Sequence, residues 1–86
     1  MGFMGNAAVT MRIMPETAEA FGEMKQAILS VLKPAKAEES EIGFGLKALR
    51  VVFVVPDGEG GADRLEEMAR GVKGVGQVDV ESMDRL

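Results

Sequence analysis

Cysteine, histidine, tyrosine and tryptophan are all missing from this chain. Without cysteine it can form no disulfide and offers no thiolate as ligand or nucleophile. Without histidine it lacks the side chain that most often moves protons near neutral pH. The common zinc sites draw on the same two residue types and are excluded with them. Serine, threonine, lysine and carboxylates remain, and no pairing among them reads as a catalytic set. An enzyme is not expected, and neither a metal nor a cofactor is called for.

Long apolar runs are lacking too, and none approaches the length needed to span a bilayer. The opening Met-Gly-Phe-Met-Gly-Asn has neither the charged start nor the long apolar stretch of a signal peptide. A cytoplasmic location without membrane contact is the expectation. Basic residues are in the minority, 10 against 14 acidic, for a net charge of −4. Nucleic-acid binders usually carry a basic face that neutralises phosphates, and no basic cluster matches the acidic stretch Glu38-Glu39-Ser40-Glu41. Direct RNA or DNA binding is therefore disfavoured. The same acids show neither an EF-hand pattern nor a glycine hinge, and a solvated, charge-defended strand edge is their simpler role.

What is present suits one small soluble domain covering residues 1–86. Ala7, Val9, Met11 and Ile13 alternate with Ala8, Thr10 and Arg12, the period of a strand with one buried face. Thr17 can cap a helix on which Phe21, Met24, Ile28, Val31 and Leu32 form an apolar stripe, and Pro34 ends it. Residues 35–42 suit a short edge strand. The strongest strand runs from about Lys47 to Val55, with Leu49, Val51, Phe53 and Val55 on one face and Ala48, Arg50, Val52 and Val54 on the other. Apolar residues on both faces predict a central place in the sheet. A second helix carries Leu65, Met68, Ala69 and Val72. Its acids come early and its bases late, as the helix dipole favours. Val78 and Val80 then alternate with Gln77, Asp79 and Glu81 in a last strand. The order strand, helix, strand, strand, helix, strand predicts an α+β ferredoxin-like sandwich: a four-stranded antiparallel sheet with two helices on one face. Met11, Met24 and Met68 fall on the buried faces and read as packing residues.

Between Ile42 and Leu49, Phe44 sits between Gly43 and Gly45. Glycine tolerates backbone angles closed to other residues and packs no side chain beside the ring. Two readings stand: the ring is held out as an anchor for a partner's pocket, or it folds back over the sheet edge. Residues 57–61 are glycine-rich, but Glu59 and the absence of a following lysine fit a connecting turn better than a phosphate cradle. At the other end, Arg85 carries a permanent charge and a donor fork suited to phosphate or carboxylate. It is expected on a strand that has just left the sheet, either reaching beyond the domain or lying in a frayed, solvated segment. In this topology Phe44 and Arg85 stand at opposite ends of the sheet, roughly 25–30 Å apart for a strand of eight or nine residues.

Four stretches together resemble the archaeal translation elongation factor 1-beta family and the catalytic C-terminal domain of its eukaryotic counterpart. They are Ile13-Met14-Pro15-Glu16, Ile42-Gly43-Phe44-Gly45-Leu46-Lys47-Ala48-Leu49, the 57–61 loop, and Met83-Asp84-Arg85-Leu86. The resemblance spans nearly the whole chain and implies the ferredoxin-like fold. It also implies a guanine-nucleotide exchange factor for GDP-bound elongation factor 1-alpha, the GTPase that carries aminoacyl-tRNA to the ribosome. In the family a basic residue next to the C-terminus enters the magnesium and phosphate region, and the phenylalanine of the Gly-Phe-Gly turn docks on another domain. Those positions match Arg85 and Phe44. Lys47 is expected to help the grip, and Gly43, Gly45 and Leu86 complete the two motifs. The eukaryotic pattern has lysine where Arg85 stands; arginine keeps the charge on a bulkier, planar head. A monomer is expected when free. The rival readings are an RNA-binding module, which would stack aromatics on the exposed sheet face, and a phosphatase or ligand-sensing domain.

Overall fold

The computed structural model describes residues 5–56 and 61–85. Of the expected 57–61 loop, residues 57–60 lie outside the described residues, as does Leu86, while Gly61 opens a helix. Along the chain run β1 (Asn6–Pro15), a 3-10 turn (Ala18–Ala20), α1 (Phe21–Val31), β2 (Lys36–Gly43), β3 (Leu46–Pro56), α2 (Gly61–Arg70) and β4 (Val75–Arg85). The strands pair antiparallel in the order β2-β3-β1-β4. This is the expected ferredoxin-like α+β arrangement, with the most apolar strand in the interior of the sheet and the charged β2 on its edge.

The period-2 pattern of β1 sorts its side chains as read: Ala7, Val9, Met11 and Ile13 are all buried. With Leu49, Val51 and Phe53 of β3 and Val78 of β4 they form the sheet half of the core, and Phe21, Met24, Ile28 and Ala69 close it from the helices. Burial of the Val, Leu, Ile, Phe and Met side chains among them stabilises by about 1.5–3 kcal/mol each. Thr17 caps as expected, its Oγ1 accepting from the Ala20 amide at 3.2 Å, although the capped turn is 3-10 before α1 proper begins. At the far end Leu32 donates to Ile28, and Lys33 turns left-handed (φ 48°) just before Pro34. Ala35 then enters the sheet by donating to Val52 at 2.8 Å.

Two stripe residues are corrected. Val31 and Met68 are exposed and flank an open groove between the helices with Ala27 and Val72. Each sits at the margin of its stripe, where the facing helix does not reach across.

Where β1 ends, Glu16 donates to the Gly74 carbonyl at 2.8 Å. A Cβ on the neighbouring Gly76 would lie 2.9 Å from the Pro15 carbonyl oxygen and 3.0 Å from Glu16 Cα. Only glycine admits so close a backbone approach. Gly76 is also the extra residue of a register shift, since Met14 faces Gln77 while Pro15 faces Val75.

Candidate partner-binding surface

Phe44 and Gly45 are the two residues of the hairpin loop joining β2 to β3, with Gly43 opposite Leu46. Their φ angles of 54° and 76° are both positive, the signature of a type I′ hairpin turn. Gly45 adopts this backbone without cost. Phe44 does not, because a left-handed L-residue brings its Cβ close to the next carbonyl, at roughly 1–2 kcal/mol. Nothing in the fold offsets that strain, since the ring is fully exposed. Of the two sequence readings, the held-out ring is the one observed.

Ile42 and Leu46 flank the ring and are themselves exposed, at 41% and 38%. The tip of the hairpin is therefore an apolar cluster of three rather than a single peg. Neither neighbour was picked out from the sequence. Their signal was there: Ile42, Phe44 and Leu46 alternate with the two glycines, which leaves no polar side chain at the tip. Ile42 is also the extra residue of a register shift, between the pairs Glu41–Lys47 and Gly43–Leu46.

Lys47 lies just below the tip, but its charge is engaged. Its Nζ stands 3.5 Å from Glu39 Oε1, while Lys25 of α1 donates to Glu39 Oε2 at 2.6 Å. Glu39 thus ties the hairpin to the helix. The Lys25 bond first, and then the charge of Lys47, hold its carboxyl below the ordinary glutamate pKa.

Arg85 stands at the other end of the sheet. It pairs with Ala7, which also pairs with Val55. The expectation that the chain has already left the sheet is corrected: β4 keeps its ladder to β1 as far as Arg85, so the residue's backbone is fixed by pairing. Val55 lies nine positions along β3 from Leu46, and at about 3.3 Å for each step the tip and Arg85 lie about 30 Å apart. The two sequence-marked features are not brought together; the same sheet holds them at its opposite ends.

The sheet face away from the helices carries the residues expected there, and they neutralise one another. Arg50 grips Glu81 through two bonds, Nε to Oε1 at 2.8 Å and a terminal nitrogen to Oε2 at 3.3 Å. That contact raises the Arg50 pKa further above its ordinary value. Arg12 reaches Asp79 at 3.5 Å, and Gln77 donates to the same carboxylate oxygen at 3.0 Å. Among the described residues this face bears no aromatic side chain: Phe21 and Phe53 are in the core and Phe44 is at the tip. Also among the described residues, no cluster of acidic side chains could hold a metal ion, and no helix is long and apolar enough to cross a membrane.

Comparison with known proteins identifies the family. Residues 8–86 match the family model described as the EF-1 guanine nucleotide exchange domain. The chain is 44% identical to elongation factor 1-beta of Methanosarcina acetivorans over 90 residues, covering 96% of this chain and all of that one. It is 41% identical to elongation factor 1-beta of Pyrobaculum calidifontis over 85 residues, covering 92% of each. The same-named protein of Methanobrevibacter smithii is 36% identical over 88 residues, covering 96% of this chain and 99% of its own. With residues 8–86 inside the match, the chain belongs to the family of EF-1 guanine nucleotide exchange domains.

Proposed function

We propose that this protein promotes GDP release from elongation factor 1-alpha by gripping the GTPase at two separated places. The apolar hairpin tip, led by Phe44, seats in a pocket on one domain. Arg85 enters the magnesium and phosphate region of another. The observation that carries this reading is the tip itself, where a large aromatic is kept exposed on a strained backbone. A fold gains nothing from such a residue, whereas a partner's pocket does.

The mechanism needs no bond chemistry. Tight nucleotide binding rests on magnesium and on donors around the phosphates. A guanidinium brought in from outside competes for that negative charge and disturbs the ion's position. By linkage, factor and nucleotide then weaken each other's binding by the same factor. Gly43 and Gly45 set the tip, while Lys47, paired to Glu39, braces the hairpin. The setting is the cytoplasm, with the free factor a monomer.

Release of labelled GDP from elongation factor 1-alpha tests the proposal. Intact protein is expected to accelerate release. Phe44→Ala is expected to raise the factor concentration needed by about tenfold or more, the scale of a lost interface anchor. Arg85→Ala is expected to lower the maximal rate even at saturation, and Arg85→Lys to keep most of it. Full acceleration by Arg85→Ala would refute the role given to Arg85.

A further inference from the structure

The pairing of β4 with β1 slips by one residue between Thr10–Ser82 and Met11–Val80, leaving Glu81 as the extra residue of a bulge. Directly opposed residues share a face of the sheet. Since Ala7, Val9 and Met11 are buried beneath the helices, their partners Arg85, Met83 and Val80 also belong to the helix side. Ser82 and Asp84, opposite Thr10 and Ala8, belong to the open side. Without the bulge the assignments would reverse: Thr10 would face Glu81, Val9 would face Ser82, and Met83 and Arg85 would join Arg12 and Arg50 on the open face. One inserted residue flips every side chain beyond it, and bulges are a recurrent means of re-aiming a side chain near a functional site.

The turned segment is not absorbed into the core. Burial fades along the helix side of β4, from Val78 at 4% to Val80 at 39% and Met83 at 54%. Met83 is thus an exposed apolar side chain two positions, about 7 Å, from Arg85 on the same side of the sheet. The bulge residue itself is held in place, since Arg50 reaches across β1 to grip Glu81.

Building on the function proposed above, we infer that the β4 bulge presents Met83 and Arg85 together on the helix side of the sheet as one apolar–cationic contact. The rim of the GTPase's phosphate site approaches the end of β4 from that side. Met83 lies against apolar surface of the rim and excludes water beside the charge, where a guanidinium–phosphate attraction is stronger.

Exchanging Asp84 and Arg85 (D84R/R85D) tests the facing. Composition and net charge stay the same, and the cation moves by one residue to the open face. GDP release from elongation factor 1-alpha is measured at saturating factor beside Arg85→Ala. The exchanged variant is expected to lose roughly tenfold or more of the maximal acceleration, matching Arg85→Ala, as befits a misplaced charge. Met83→Asp is expected to raise the half-maximal concentration about tenfold, with Met83→Leu within about twofold of wild type. All three residues are exposed, and melting temperatures check that each variant folds. An exchanged variant that works while Arg85→Ala does not would overturn this inference and leave the proposed function standing. Wild-type behaviour of Met83→Asp would remove the apolar half of the contact. Wild-type behaviour of Arg85→Ala would overturn both proposals.

Discussion

Phe44 departs from two local preferences at once. A type I′ hairpin favours asparagine or glycine at its first central position, and an exposed ring forgoes the roughly 1.5–3 kcal/mol its burial would contribute. Both departures can be relieved by one change. Phe44→Asn installs Asn-Gly, the preferred dipeptide for this turn, and removes exposed apolar area. The variant is expected to be more stable by about 1 kcal/mol, a rise of about 4–8 °C in melting temperature for a domain of this size. It should at the same time exchange nucleotide as poorly as Phe44→Ala. Thermal melting and GDP release on the same preparation check both halves; a less stable Phe44→Asn would mean that the ring supports the fold. The held-out ring was open to reading from the sequence because its flanking glycines are a local signal. Ile42, Leu46 and Met83 were harder to see. A single apolar residue at a strand end looks the same whether covered or not, and only the sheet's register shows which ends the helices fail to cover.

At the scale of elements, β1 was legible because an alternation of four apolar residues leaves one possible inward face, and β3 because apolar residues on both faces mark an interior strand. Their mates on the edges were less so. The extra residues Ile42, Gly76 and Glu81 look like any others in the sequence, since a bulge is decided by the partner strand's register rather than by its own composition. Helix stripes gave direction but not width, which is why Met68 and Val31 emerged on the rim. Gly76 shows how tightly one such irregularity is held. Its α-hydrogen faces backbone, not a flexible side chain, so neighbouring atoms cannot yield cheaply. Gly76→Ala is expected to cost about 1–3 kcal/mol, the range for overpacking, measured as a shift in denaturant midpoint at unchanged slope. The hairpin's tie to α1 through Glu39 has a different signature, in pH. Folding lowers this carboxyl's pKa below its ordinary 4.5, so the stabilisation is complete above that value and fades as acid protonates the folded form. Glu39→Gln should flatten the acid limb of the stability profile below about pH 4.5 while leaving the core intact. An unchanged limb would mean that the Lys25 and Lys47 contacts are too weak to register.

At the scale of the molecule, the exchange mechanism becomes a question of length. The structure measures 50 × 21 × 17 Å, and the two proposed contacts stand about 30 Å apart along its sheet. A sheet packed on one side by helices does not stretch, so seating the tip fixes where Arg85 arrives. Joining two contacts on a rigid frame makes the second one intramolecular, which strengthens binding only when the span matches the partner. The match can be broken without touching either contact. Inserting two residues between Ser40 and Glu41 and two between Lys47 and Ala48 lengthens both hairpin strands equally. The even number keeps every side chain on its own face, and the tip moves outward by about 7 Å. Phe44, Arg85 and the core below Leu49 are all retained. If the frame acts as a ruler, this variant should fold and still bind elongation factor 1-alpha weakly through one end, yet lose most of its acceleration of GDP release at any concentration. If the two ends work independently, saturating factor should restore full exchange. Titrating the variant against labelled GDP release separates the outcomes, because a shortfall in affinity disappears at high concentration and a mismatch in length does not.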